Sequence, residues 1–361
     1  MLVLGIETTC DETGAAVVEN GHRILSNVVA SSVDLQKKYG GVVPEIAARD
    51  QVRVIIPVIK ECISTMADRL SINDERSAIN EIDAIAVANG PGLIGSLLIG
   101  VETAKTLAFV WGKPLVPVNH LIGHIYANFI GEKSKVEFPL IALVVSGGHT
   151  DLVLMTDHGR FKLIGSTLDD AAGEAFDKVA RVLGLGYPGG PEIEKLAVKV
   201  ESGKFIIKLP RPMINSNDFN FSFSGLKTAV VNVVDRFNYS SNDSEKSKSN
   251  NSSRITRTIS SNFKALIADE FQKAVVDVLV KKTIKAAENF GCETIVLGGG
   301  VAANRLLCSQ MADRASRLGI KVYFPSKNLS VDNGAMIAAA AFYNFKKVNP
   351  LKLQAEPGLH F

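Results

Sequence analysis

Two histidines, His120 and His124, stand four residues apart in the stretch PVNHLIGHIYAN. Positions i and i+4 share one face of a helix, so both imidazoles can grip one metal ion. Zinc peptidases use this spacing in H-E-x-x-H, where the glutamate serves as general base. Here Leu121 fills the glutamate's place. Gly123, inside the pair, costs helix stability and lets a ligand approach closely. A peptidase reading is thereby weakened, and the pair reads as an anchor and Lewis acid that needs a third ligand. Asp332, just ahead of an apolar run in LSVDNGAMIA, is the best carboxylate for that role. Two imidazoles and a carboxylate with open positions suit iron or zinc. The plainer alternative is a pair of polar side chains at a helix start.

Glycine-rich stretches supply the second kind of chemistry. In VVSGGHT, a strand runs through Val144 and Val145 into Ser146, Gly147 and Gly148. Bare backbone there can meet a phosphate or acyl group without Cβ interference. In LGGGVAANR, three glycines end a strand and Asn304 is able to hydrogen-bond a nucleotide. ANGPGLIGS holds G-x-G-x-x-G at Gly90, Gly92 and Gly95, but the acid that a dinucleotide site wants after the next strand is missing. Those glycines read as a tight turn and close helix packing. GEAFDKVARVLGLGYPGGPEIE carries Asp177, Gly190 and Glu194, with acids that can bond ribose hydroxyls or simply face water. Ser222, Ser224 and Lys227 in FSFSGLKT suit either phosphate or tRNA contact or a packed loop.

These residues need elements to position them. The chain opens strand, polar loop, strand, turn, strand. A helix over 44–70 follows, with Pro44 in its first turn and Ile55, Ile56, Ile59 and Ile63 at helical spacing. A buried strand, a glycine turn, an apolar helix over 94–111 and another strand lead to the histidines. From Leu140 the opening pattern returns. Two copies of β-β-β-α-β-α imply an α/β protein of two similar lobes around a cleft. The expected division is an N-terminal lobe over 1–130, completed by a C-terminal helix at 326–361, and a C-terminal lobe over 131–325. Residues 238–253, NYSSNDSEKSKSNNSS, are too polar to bury themselves and read as a flexible surface insertion.

Composition bounds the rest. The length of 361 residues suggests two or three domains. A share of 46% apolar and 21% charged residues is ordinary for a globular protein. A net charge of +3 permits an anionic partner without demanding one. Four scattered cysteines read as free thiols. The opening reads as a strand rather than a secretory signal. Glu102 and Lys105 mark the apolar helix as buried rather than membrane-spanning. A cytoplasmic protein is expected.

Taken together, GIETTCDETG, YGGVVPEIAARDQV, GPGLIGSLLIG, NHLIGH, LVVSGGHT, DDAAGEAFDKVARVLGLGYPGGP, FSFSGLKT, GGGVAAN and DNGAMIA resemble the tRNA N6-adenosine threonylcarbamoyltransferase family, in order, from residue 2 to about 345. The resemblance implies the actin, sugar-kinase and heat-shock ATPase superfold. It implies transfer of a threonylcarbamoyl group from threonylcarbamoyl-AMP to N6 of adenosine 37, in tRNAs that read codons beginning with adenine, with AMP released. Carried over by residue, it implies metal ligation by His120, His124 and Asp332, usually to iron, with zinc the alternative. It also implies donor contacts from residues 144–148 and nucleotide contacts from Asp177, Gly190, Glu194 and Asn304. Some relatives place a tyrosine ligand at the position of Val144, which a valine cannot replace. Bacterial relatives work with a non-catalytic paralogue and a small ATPase, with no membrane involved. The competing readings are a kinase or ATPase of the same superfold, with Asp11 as its base, and the disfavoured metallopeptidase.

Overall fold

A computed structural model describes residues 1–131, 136–200, 207–243 and 260–361. The first unit comprises β1 (Leu2–Glu7), β2 (Glu12–Glu19), β3 (Arg23–Ser31), α1 (Val33–Lys37), α2 (Pro44–Leu70), α3 (Glu75–Glu81), β4 (Ala84–Gly90), α4 (Ile94–Trp111), β5 (Leu115–Asn119) and α5 (His120–Tyr126). The second follows as β6 (Leu140–Val145), β7 (Thr150–Asp157), β8 (Arg160–Ser166), α6 (Ala172–Val182), α7 (Gly189–Ala197), α8 (Ser224–Asp243), α9 (Ser261–Phe290), β9 (Thr294–Gly298), α10 (Arg305–Ser316), β10 (Lys321–Tyr323), α11 (Lys327–Ser330) and α12 (Gly334–Tyr343).

The strands form two five-stranded sheets ordered β3-β2-β1-β4-β5 and β8-β7-β6-β9-β10. In each, the first strand pairs antiparallel with the second and parallel with the fourth. The duplication read from the sequence is therefore present strand for strand. Each central strand is apolar on both faces because both faces are covered. Side chains alternate along a strand. Along β1, Val3 points into an inner cluster while Leu4 and Ile6 point outward to Ile55 and Ile59 of α2 and Val101 of α4. Along β6, Val144 points inward, while Leu143 and Val145 face Phe176 of α6 and Phe271 of α9.

Between the sheets lie α5 and α12. The alanines of α12, Ala335 and Ala338–Ala341, are buried on every side. Their small side chains let the helix lie close to the first sheet. Gly334 touches the backbone of Gly5 and Ala16, where a Cβ would collide. Asp332 rides on the turn entering this helix.

Several expectations change. Ile56 lies on the outer face of α2 and is exposed, since the buried stripe passes through its neighbour Ile55. The helix α4 is buried on one face only: Ser96, Leu97, Gly100, Val101, Ala104 and Ala108 are covered, while Ile94, Leu98, Phe109 and Val110 are exposed. By length and composition it could cross a membrane; here it packs along β4 and α2. Within 326–361 the long helix is α12 alone, and the chain beyond Asn344 runs in extended and turn conformations along the first sheet. Residues 238–243 of the expected insertion belong to α8, and 244–253 lie outside the described residues. The four cysteines are free thiols.

Candidate metal centre and donor-binding wall

The site begins with a cap. Asn119 ends β5, and its Oδ1 accepts hydrogen bonds from Leu121 N at 2.8 Å and Ile122 N at 3.4 Å. Such a cap satisfies the free donors of the first turn and starts α5 at His120. One helical turn then sets His120 and His124 side by side, ring centroids 4.6 Å apart. The ligand atoms of His120, His124 and Asp332 all lie within 4.8 Å of one another. Nε2 of His124 is 3.2 Å from Asp332 Oδ1 and Nε2 of His120 is 3.6 Å from it. Leu121, in the place of a peptidase glutamate, is buried in the inner core.

Sequence reasoning missed Glu7. Its carboxylate is fully buried at the end of β1, with Oε2 2.9 Å from His120 Nδ1 and Oε1 accepting from Thr9 N at 2.6 Å. A carboxylate behind a ligating imidazole fixes the tautomer, so Nε2 turns toward Asp332. Burial works against a charged His120, but Glu7 first and Asp332 second carry its pKa up to about 9. Burial likewise opposes ionisation of Asp332, yet the two histidines hold it below the usual carboxylate range. Both ring nitrogens of His124 are buried without a hydrogen-bond partner. Its Nε2 lies 3.2 Å from Asp332 Oδ1 without hydrogen-bond geometry. An unpaired buried imidazole is costly, and a cation between the three groups would satisfy it. The donor set fits a divalent metal.

The loop joining β1 to β2 borders this trio. Its shape is fixed by Gln51, whose buried amide donates to the carbonyls of Thr8, Cys10 and Glu12 at 3.3, 3.1 and 3.0 Å. Glu12 is a second residue that the sequence did not flag. Burial, then the charges of Asp332 and Asp11, push its carboxyl up to about 10, so it keeps its proton at neutral pH.

The matching loop, between β6 and β7, closes with Ser146 N donating to His149 O at 2.9 Å. Gly147 and Gly148 are exposed, with open space where a Cβ would stand. Val144 and Val145 are wholly buried strand residues, paired with Asp151, Gly298 and Thr150, so the exposed part of this stretch is Gly147 and Gly148. Gly299, at φ 91°, packs on the Val145 carbonyl and Ser146, and Gly298 packs on the His124 backbone. Gly173 packs on Ser146 and Gly147, which sets α6 beneath the loop. Asp177 Oδ1 accepts from Gly189 N at 2.7 Å, and Gly190 beside it faces open space. Burial pushes the Asp177 carboxyl up. Glu194 Oε1 accepts from Arg305 N at 2.9 Å. Asn304 is more committed than expected: it caps α10 through Leu307 N at 3.0 Å and donates to Gln272 at 3.0 Å. Gly298 and Gly299 thus link the histidine helix to the β6–β7 loop, and Gly173 links that loop to α6.

Other candidates fall elsewhere. Gly90 packs on the Glu356 carbonyl and Gly92 on Thr9, so the G-x-G-x-x-G stretch serves close backbone packing. Asp169 accepts from Ser222 Oγ at 2.6 Å and Phe223 N at 2.8 Å, which ties the entry to α8 to the segment ahead of α6.

Two duplicated five-stranded sheets of this strand order are the plan of the actin, sugar-kinase and heat-shock ATPase fold. Two solved structures share it at 13% identity: full-length HypF in the phosphate- and nucleotide-bound form (TM-score 0.56; 95% of this chain, 46% of that one) and HypF of T. kodakarensis (0.58; 95% and 47%). The family model for tRNA N6-adenosine threonylcarbamoyltransferase, TsaD, matches residues 23–339. Proteins of that name from Symbiobacterium thermophilum and Bacillus subtilis are 50% and 48% identical, over 99% of this chain and 96% and 95% of theirs. The chain belongs to the tRNA N6-adenosine threonylcarbamoyltransferase family, and it is a transferase that forms threonylcarbamoyladenosine in tRNA.

Proposed function

We propose that the donor is threonylcarbamoyl-AMP and the acceptor N6 of adenosine 37, in tRNAs reading codons that begin with adenine, with AMP as the leaving group. The observation that carries this reading is the histidine–carboxylate trio abutting a glycine loop with open space above it. We assign His120, His124 and Asp332 as ligands of a divalent metal, Fe2+ ahead of Zn2+. When bound, such an ion supplies Lewis acidity toward the oxygens of the threonylcarbamoyl group. The chain's own groups do the rest. The backbone N–H groups of Gly147 and Gly148, with the Ser146 hydroxyl beside them, can hydrogen-bond the oxyanion and the departing phosphate. Asp177, Gly190 and Glu194 hold the nucleotide, while Asn304 shapes the wall by capping α10. Glu7 keeps His120 in one orientation. An exocyclic amine is a poor nucleophile, so fixing the adenosine against the donor carries much of the rate.

The cleft reading goes with a division into one lobe of residues 1–130 plus 326–361 and another of 131–325. Val52 and Ile56 of α2 and Ile94 and Leu98 of α4 share an exposed apolar face. That face supports a protein partner, which we take to be a non-catalytic paralogue, with a small ATPase completing a cytoplasmic bacterial system.

The test is transfer of labelled threonine to tRNA from threonylcarbamoyl-AMP with those partner proteins, wild type beside His120→Ala, with metal content measured on both. Label from the wild type alone, and metal lost from the variant, is expected. Equal label from both would sink the metal assignment. No label from either, with ATP consumed, would favour the kinase reading.

A further inference from the structure

Beside the cleft runs the sequence Lys-Lys-Tyr-Gly-Gly, residues 37–41, which the reaction described above does not use. Tyr39 is 60% exposed and follows the exposed Lys37 and Lys38. The segment is nonetheless held firmly. Ser32 N and Oγ both donate to Asp11 O at 3.0 Å, and the buried Gln36 accepts from Val43 N at 2.8 Å. From the opposite lobe, Arg181 Nη2 donates to Gly40 O at 2.6 Å. Lys37 and Gly40 border a cavity of about 120 Å³ together with Asp177, Arg181 and Tyr187. Asp11 lies within Coulombic reach of Asp177 and Tyr187, and Glu12 within reach of Asp332. The backbone next to Tyr39 is thus tied to Arg181 of α6, and its neighbours Lys37 and Gly40 border the same cavity as Asp177.

An adenosine can enter a cleft only by leaving its stack, which strips a stacking partner from the next base in the loop. An exposed aromatic face beside ammonium groups is the usual protein substitute. We propose that Tyr39 stacks on a base adjacent to the target adenosine, while Lys37 and Lys38 meet the flanking phosphates. The proposal rests on the cleft being the site of transfer. Lys37 now contacts Asp34 at 2.8 Å, with both side chains exposed. Such a surface pair yields readily to a phosphate.

The test uses the same transfer assay with partner proteins, varying tRNA. Tyr39→Ala should lower kcat/KM for tRNA roughly tenfold, through KM, while the KM for threonylcarbamoyl-AMP stays put. Tyr39→Phe and Tyr39→Trp should stay within about twofold of wild type, because either ring stacks. Lys38→Ala should reduce the slope of log affinity against log salt by about 0.7. An independent readout is an anticodon stem–loop RNA carrying 2-aminopurine beside the target adenosine, quenched on binding wild type and less so on binding Tyr39→Ala. If the wild type transfers nothing, the reaction assigned above fails, and the quenching comparison still decides the role of Tyr39. Equal tRNA KM with equal quenching would overturn the proposal. So would a Tyr39→Ala defect confined to association with the partner proteins without RNA.

Discussion

The β1–β2 loop and the β6–β7 loop occupy the same place in equivalent sheets, yet they are built oppositely. The first carries Asp11, with Glu7 and Glu12 at the strand ends on either side, and three carbonyls of this stretch accept from the Gln51 amide. The second carries no acid; it is closed by a single backbone hydrogen bond and leaves Gly147 and Gly148 bare. Both border the histidine helix: Glu7 and Thr9 reach His120, while Gly298 and Gly299 link His124 to Val145 and Ser146. A duplicated scaffold has thus been given one turn that tunes charge and one that presents backbone.

That contrast can be broken first on the glycine side. Gly148→Val has room within the fold, so stability should hold while a ligand above the loop loses its seat. Transfer should fall roughly a hundred- to a thousandfold, the scale of a lost oxyanion donor, at unchanged melting temperature. A variant with wild-type kcat/KM would remove the backbone loop from the chemistry.

On the acidic side the expected effect is a pH profile. His120 in the metal-free chain keeps its proton up to about pH 9, and a metal must displace it. Metal affinity should therefore climb about tenfold per pH unit from roughly pH 7 toward 9 and then level off, as read by chelator competition. In Glu7→Gln the levelling should come at lower pH. A flat profile in the wild type would show that His120 is not a ligand.

The smallest effect concerns Glu12. Unfolded, it ionises near 4.5; folded, near 10, so stability drains away as pH rises between those values. Glu12→Gln should raise the melting temperature of the metal-free chain, and by more at about pH 8 than at about pH 5. No pH dependence of that gain would mean the carboxyl is not held protonated.

How much of this was legible depends on whether a residue's partners are near it in the chain. The bounds of α2 are plain because Pro44 starts it and apolar residues recur along it. The pairing of His120 with His124 follows from one helical turn. Asp332 lies more than half the chain beyond His124, and only its position before an apolar run and the family resemblance point to it. Glu7 leaves no such trace, since a carboxylate closing an apolar strand looks like the edge of a loop and its partner is 113 residues away. Gln51 looks like a solvent-facing helical amide, and Ile56 like core. Their roles are exchanged because the helix turns its polar residue toward backbone carbonyls and presents an apolar one to the outside.

The placement of α12 has a consequence for biosynthesis. The inner face of the first sheet, with Val3, Ala16 and Ala86, finds its cover in residues 335–341. A ribosome delivers the chain from the N-terminus, so this apolar face waits uncovered while roughly two hundred intervening residues are made. Asp332 arrives in the same interval, immediately ahead of the helix that seals the sheet. Completion of the candidate metal-ligand set and closure of the first core are then a single late event. A nascent chain halted before residue 332 would carry both an open hydrophobic surface and an incomplete pair of histidines, a ready target for chaperones.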